Sequence, residues 1–259
     1  MRIALFSDIH ANLPALEAVL TDIDDRDVDA VYCLGDLVGY ATWPNEVVTT
    51  IRARGIPTIA GNYDEGVGLA SDDCGCAYKT DDDRARGALS IAYTNRTVTD
   101  SVRDYLRRLP RHMRLTCLEG RLADARPLDV LLVHGSPRRI NEYLFEDRPE
   151  KSVSRLFAES GADVIVCGHT HKPYHRKLAR GDDGGFNHLV NIGSVGKPKD
   201  GDPRACYAIL DVDPSVSPER DGRIRAEFVR VGYDVERAAV AIEQSELPDA
   251  FADMLRRAY

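Results

Sequence analysis

Five short clusters of Asp, Asn and His stand each directly behind an apolar stretch: Asp8-Ile9-His10 behind residues 2–6, Gly35-Asp36 behind 30–34, Gly61-Asn62 behind 56–60, His134-Gly135 behind 128–133, and Gly168-His169-Thr170-His171 behind 163–167. Short, β-rich apolar runs of this length read as buried strands. Between the first of them, residues 13–25 carry Leu13, Leu16, Val19, Leu20 and Ile23 at helical spacing, with Asn12 placed to cap the helix and Pro14 in its first turn. Residues 44–54 repeat the pattern with Val47, Val48 and Ile51. Strand, helix, strand, helix, strand means parallel βαβ units. In such a sheet the loops beyond the carboxyl ends of the strands converge on one crevice, so five polar loops in these positions predict one composite site.

From Glu65 the pattern lapses into Gly66, Gly68, Ser71-Asp72-Asp73 and Asp81-Asp82-Asp83, which predicts a long surface loop. Helices are expected over 84–93 and over 100–109, the second capped by Thr99 or Thr97 and stopped by Pro110. Strands follow at 113–118, 128–133 and 163–167, with a helix at 149–160 between the last two. Residues 174–178, 186–191, 205–212 and 225–231 read as strands without intervening helices, and 235–244 and 249–258 as a helical tail. The expected fold class is α/β, a four-layer sandwich of two mixed β-sheets packed face to face and flanked by helices. No linker divides the chain, so residues 1–259 are expected to form one domain with a loop and helical insertion at about 65–110.

Composition narrows the function classes. Of the 259 residues 43% are hydrophobic and 29% charged, which excludes an intrinsically disordered chain. A net charge of −8 without a basic stripe argues against an extended nucleic-acid surface. No apolar run nears the ~18–20 residues of a membrane span, and Asp8 and His10 interrupt the start before it could serve as a signal-peptide core, so the expectation is a cytoplasmic protein without a membrane partner. The six cysteines are scattered, which favours reduced thiols. Cys74 and Cys76 form a C-x-C pair, read as plain loop, with a third-metal role as the lesser alternative.

The donor types of the five clusters fit a particular chemistry. Asp and Asn offer hard oxygens and neutral His an imidazole nitrogen, a mixture suited to Mn, Fe, Zn, Ni or Co better than to Ca or Mg. Two ions about 3.5–4 Å apart need a bridging carboxylate. Asp36, behind the flexible Gly35, is the candidate.

In this order, D-x-H, G-D, G-N, H-G and G-H-x-H resemble the calcineurin-like metallophosphoesterase superfamily. Ser7-Asp8-Ile9-His10-Ala11-Asn12 and Asn191-Ile192-Gly193-Ser194-Val195-Gly196 are similar to its small bacterial phosphodiesterase branch, and the resemblance spans residues 2–196. It implies two divalent transition-metal ions per chain, the first held by Asp8, His10, Asp36 and His171 and the second by Asp36, Asn62, His134 and His169. It also implies in-line attack on phosphorus by a metal-bridging hydroxide, with a small phosphate ester, nucleotides included, as substrate.

One position departs from the family motif G-N-H-D or G-N-H-E: the chain has Gly61-Asn62-Tyr63-Asp64. A phenol with pKa near 10 is a poor proton donor to a leaving alkoxide, so phosphodiesters are expected over unactivated monoesters. The candidate catalytic residues are Asp36, Asn62, Tyr63 and Asp64. The rival readings are a protein phosphatase or dinucleoside polyphosphate hydrolase of the same fold, and a scaffold that keeps the fold without the chemistry. Four questions stay open at this level: whether Asn12 caps a helix or meets substrate, whether Arg138 and Arg139 reach a phosphate or are surface charge, the same for Lys197 and Arg204, and whether residues 65–80 border the site.

Overall fold

In a computed structural model, which describes residues 1–78, 80–117, 127–180, 185–213, 216 and 222–259, the apolar stretches become two sheets. Strand β1 (Arg2–Phe6) pairs in parallel with β2 (Ala30–Cys33) and antiparallel with β8 (Ala205–Val212), which in turn pairs with β9 (Ile224–Val231). The second sheet runs β3 (His112–Cys117), β4 (Leu128–Val133), β5 (Val164–Cys167), β7 (Phe186–Asn191) and β6 (Tyr174–Ala179), with parallel pairing from β4 through β5 to β7 and antiparallel edges. Both sheets are mixed, as expected. Early and late strands share the first sheet, so β8 lies against β1 although about two hundred residues separate them.

The period of two decides which residues meet. Ile3, Leu5, Ala208 and Leu210 point to the inner face, where they pack on Val130, Leu132, Val164 and Val166 of the second sheet. Ala4 and Phe6 point outward, under Leu16, Val19, Leu20 and Ile23 of helix α1 (Leu13–Asp24) and Val47, Val48 and Ile51 of α2 (Pro44–Ala53). On the far side of the second sheet, Val153, Leu156 and Phe157 of α6 (Glu150–Ser160) cover Leu131, Val133 and Ile165. Helix, sheet, sheet, helix are the four layers. Each fully buried Leu, Ile or Phe in them contributes about 1.5–3 kcal/mol relative to exposure. Two C-terminal helices, α7 (Val235–Glu243) and α8 (Ala250–Arg257), form a separate cluster with Ala11 and Ala41 beside the first sheet. Among the described residues no helix is long and apolar enough to cross a membrane.

Three expectations need correction. Residues 56–60 make only an isolated bridge, Cys33 to Thr58, where a strand was expected. Pro57 has no amide to continue a ladder, and the amide of Ala60 turns away to the Pro110 carbonyl. The loop expected from Glu65 is partly helix: α3 covers Asn62–Gly68. Its glycines lower helix propensity, but Gly68 packs so tightly on α5 (Asp100–Arg107) that a Cβ would stand 2.8 Å from the Arg107 amide nitrogen. The acidic run Asp81–Asp83 opens α4 (Asp81–Thr97), with the Thr80 hydroxyl accepting from the Asp83 amide as its cap. Acidic side chains belong in a first helical turn, where the dipole is positive. Position 118 of the expected strand over 113–118, and Lys79, lie outside the described residues.

Candidate metal centre

The loops behind β1, β2, β4 and β5, together with the start of α3, meet at one end of the two sheets. Their backbone is held in a strained form: Asp8, His10, Asp36, His169 and His171 all have φ between 50° and 64°. For residues with a Cβ this left-handed region costs about 1 kcal/mol or more apiece and persists where the surroundings fix it. Here amide bonds between loops do so. The Asp8 amide donates to Gly35 at 2.9 Å, that of His10 to Asp36 at 2.9 Å, and that of Gly168 to His134 at 2.9 Å. Gly61 has to be glycine, because a Cβ would stand 2.1 Å from Asp36 Oδ1.

This folding gathers two buried sets, Asp8 with His10 and His171, and Asp36 with His134 and His169, each with its donor atoms within 4.8 Å of one another. Asp36 faces both: its Oδ2 lies 3.6 Å from His10 Nε2 and 3.3 Å from His134 Nε2, while its Oδ1 accepts the Tyr63 amide at 2.9 Å. Asn62 Oδ1 is 3.2 Å from His134 Nε2. All seven residues proposed from sequence as ligands are therefore brought together.

The atoms left over say what fits between them. Nδ1 of His10, His134 and His171 each faces a backbone carbonyl, of Val38, Leu34 and Lys197, so each carries a proton there and turns its Nε2 inward, bare in His10 and His171, whose burial keeps them neutral. The Nε2 atoms of His10 and His171 stand only 3.2 Å apart. Two lone pairs at that distance repel unless a cation lies against both. Asp8 Oδ1 and His169 Nε2 are buried with no hydrogen-bond partner, although buried polar atoms are otherwise paired. Burial holds His10 and His169 down at about 3, so both are neutral donors. Burial also opposes charging of His134, but the Asp36 and Asp8 carboxylates outweigh it and raise that group to about 10. Bare nitrogens, unpaired carboxylate oxygen and carboxylates that attract a positive charge fit divalent cations at these two sets.

Asp64 and Tyr63 lie behind the donors. The two Asp64 oxygens accept the Leu37 and Gly61 amides at 2.9 Å each, which ties the Asp36 loop to the Asn62 loop. Tyr63 is 1% exposed, its ring 4.9 Å from Tyr40 and edge-on to His10 at 5.5 Å. Asn12 is a cap: its oxygen accepts the Ala15 amide, and its amide group donates to Gly196 O and the Tyr233 hydroxyl. Lys197 is not surface charge, being 4% exposed with its Nζ 4.8 Å from the Tyr40 ring centre. Arg204 is exposed and bonded to Asp202. The segment after α3 does border the centre, since Asn62 Nδ2 donates to Cys74 O at 3.0 Å and to Cys76 Sγ at 3.3 Å.

Two aromatic neighbours escape a sequence reading. Tyr143 stacks on His169 at 4.0 Å and Tyr40 meets His10 edge-on at 4.9 Å. Neither belongs to a motif; the only local signal is that each follows a ligand loop within ten residues.

Comparison with known proteins agrees with this geometry. The sequence profile of the calcineurin-like phosphoesterase superfamily domain matches residues 1–215. An uncharacterized protein of Methanocaldococcus jannaschii is 35% identical over 98% of this chain and 96% of its own length. A metallophosphoesterase from Sphaerobacter thermophilus has a similar structure, with TM-score 0.71, 30% identity, and coverage of 100% of this chain and 99% of its own. A hypothetical protein from Pyrococcus horikoshii shares the fold at TM-score 0.77 and 21% identity, over 100% of this chain and 98% of its own.

Proposed function

The chain belongs to the calcineurin-like phosphoesterase superfamily, and on that premise we propose that it is a two-metal hydrolase whose preferred substrates are small phosphodiesters, nucleotide esters among them. The observation that supports this best is the pair of facing Nε2 atoms of His10 and His171 beside the unpartnered Asp8 Oδ1, with Asp36 reaching across to His134. Asp8, His10, Asp36 and His171 would hold one ion and Asp36, Asn62, His134 and His169 the other. Bound there, divalent ions supply Lewis-acid charge for the phosphoryl oxygens and a water of lowered pKa.

The remaining work falls to the protein. The Val38, Leu34 and Lys197 carbonyls fix three imidazoles in one tautomer and orientation. Asp64 holds the Asp36 and Asn62 loops at a set separation, and the Tyr63 amide fixes the Asp36 carboxylate. Such preorganisation places the charge before substrate arrives. At the position where the family motif has His, the Tyr63 phenol is buried, and burial pushes it up further from a working acid. Leaving groups that depart without a proton are therefore favoured, which is why diesters of good leaving groups rank above alkyl monoesters.

A panel of bis(p-nitrophenyl) phosphate, p-nitrophenyl phosphate, an alkyl phosphomonoester and a dinucleoside polyphosphate, assayed with Mn²⁺, tests the reading. Fastest turnover on the aryl diester is the expected result. Faster turnover on the alkyl monoester or the dinucleotide overturns the diester preference, and no turnover on any member with any metal supports the scaffold.

A further inference from the structure

The second sheet carries a basic cavity outside the metal centre. It has a volume of about 410 Å³ and lies on the α6 side of β3 and β4, bordered by the turn that begins two residues beyond His134. Four guanidinium groups line it, Arg111, Arg114, Arg138 and Arg139, against one carboxylate, Glu159. In a chain of net charge −8 that is a pronounced local reversal. The turn is built to present two of them: Ser136 Oγ accepts the amides of both Arg138 and Arg139 at 3.1 Å and donates to Glu142. Gly135 fits there because a Cβ would stand 2.4 Å from the Ile140 carbonyl oxygen.

The charge inside is only partly offset, since three of the four guanidinium groups are ion-paired and Glu159 serves two arginines. Glu159 is shared between Arg138 at 2.9 Å and Arg155 at 2.8 Å. Arg111 and Arg114 lean on Glu65 and Asp129, neither of which lines the cavity. Arg139 is exposed and makes no side-chain ion pair among the described residues. Planar guanidinium forks suit phosphate oxygens, and Leu131, Val133 and Ile140 give the same cavity an apolar floor. A volume of this size suits a small organic ligand.

We propose that this cavity is a second binding site, separate from the metal centre, for a small organic phosphate of nucleotide size, with its phosphates on Arg138, Arg139 and Arg114 and its ring system along Leu131 and Ile140. The assignment does not depend on what the metal centre hydrolyses. Calorimetric titration of the metal-loaded protein with α,β-methylene ADP, which resists hydrolysis, tests it. The expected result is a binding event that the Arg138→Ala/Arg139→Ala double variant weakens at least tenfold and that persists in Asp36→Asn. Pyrophosphate should compete for it, and adenosine should not. Melting curves of the variants confirm that they fold, which surface arginines permit. No binding, binding indifferent to the arginine pair, or one event lost with Asp36 overturns the proposal. Competition by adenosine but not pyrophosphate overturns the phosphate assignment.

Discussion

Asp36 accepts an amide on one oxygen and turns the other toward both His10 and His134, so one side chain serves two donor sets. Asp36→Asn keeps the shape and removes the charge that offsets two neighbouring cations. Turnover should fall about a hundredfold or more, with metal content reduced. His134→Ala and His171→Ala should each be comparably severe. Elemental analysis and rates on the same preparations check this, and normal turnover in Asp36→Asn sinks the two-metal reading. Tyr63 gives a finer test. Its ring fills the space against Gly39, where a Cβ would stand 2.4 Å from the ring edge. Tyr63→Phe keeps that packing and should leave diester turnover within about twofold, since the hydroxyl is given no acid role. Tyr63→His should raise alkyl-monoester turnover, provided that Asp64 can orient the imidazole. Loss of diester cleavage in Tyr63→Phe, measured with bis(p-nitrophenyl) phosphate, means that the hydroxyl takes part.

At the scale of elements, what could be read in the sequence depended on whether the cause was local. Strands β1, β4, β7 and β8 and helix α1 with its Asn12 cap carry their own periodicity and stop signals, and their bounds lie within a residue of expectation. The donor set was legible for the same reason: each member ends an apolar run. Helix α3 was not, because Gly66 and Gly68 argue against helix locally, while the close approach of α5 requires Gly68 and the backbone of residues 73–74 crowds Gly66. Nor were the Tyr143–His169 stack or the Lys197–Tyr40 contact, which join loops far apart in sequence. The segment after α3 yields a prediction at this scale. Its backbone is pinned to Asn62 through Cys74 and to Asn141 through Gly75, so it stands as a wall beside the centre. Replacing residues 71–77 with a short Gly-Ser linker should raise the rate on bulky diesters relative to small ones. Unchanged relative rates show that the wall does not select substrate.

For the whole molecule, the two sets tie folding to metal. Donors come from the ends of four strands in two sheets and from the start of α3, and in the unfolded chain they are far apart, so ions bind the native state and not the denatured one. Without ions the native state keeps the bare His10 and His171 nitrogens 3.2 Å apart, five donor residues in left-handed backbone, and buried atoms without partners. These are costs that cations relieve. At a free metal concentration of a hundred times Kd, the linkage contributes about 2.7 kcal/mol. For a domain of this size that is a rise in Tm of roughly 5–10 °C. Scanning calorimetry on protein stripped with a chelator and then reloaded with Mn²⁺ should show it. Asp36→Asn should show a smaller rise, because the donor shared by both sets has lost its charge. The arginine pair at the second cavity serves as the control: Arg138→Ala/Arg139→Ala should keep the full metal-dependent rise, since neither residue faces the donors. An equal rise in wild type and Asp36→Asn means that the stabilising ions bind elsewhere, and no rise with any transition metal means that the donor sets do not hold them.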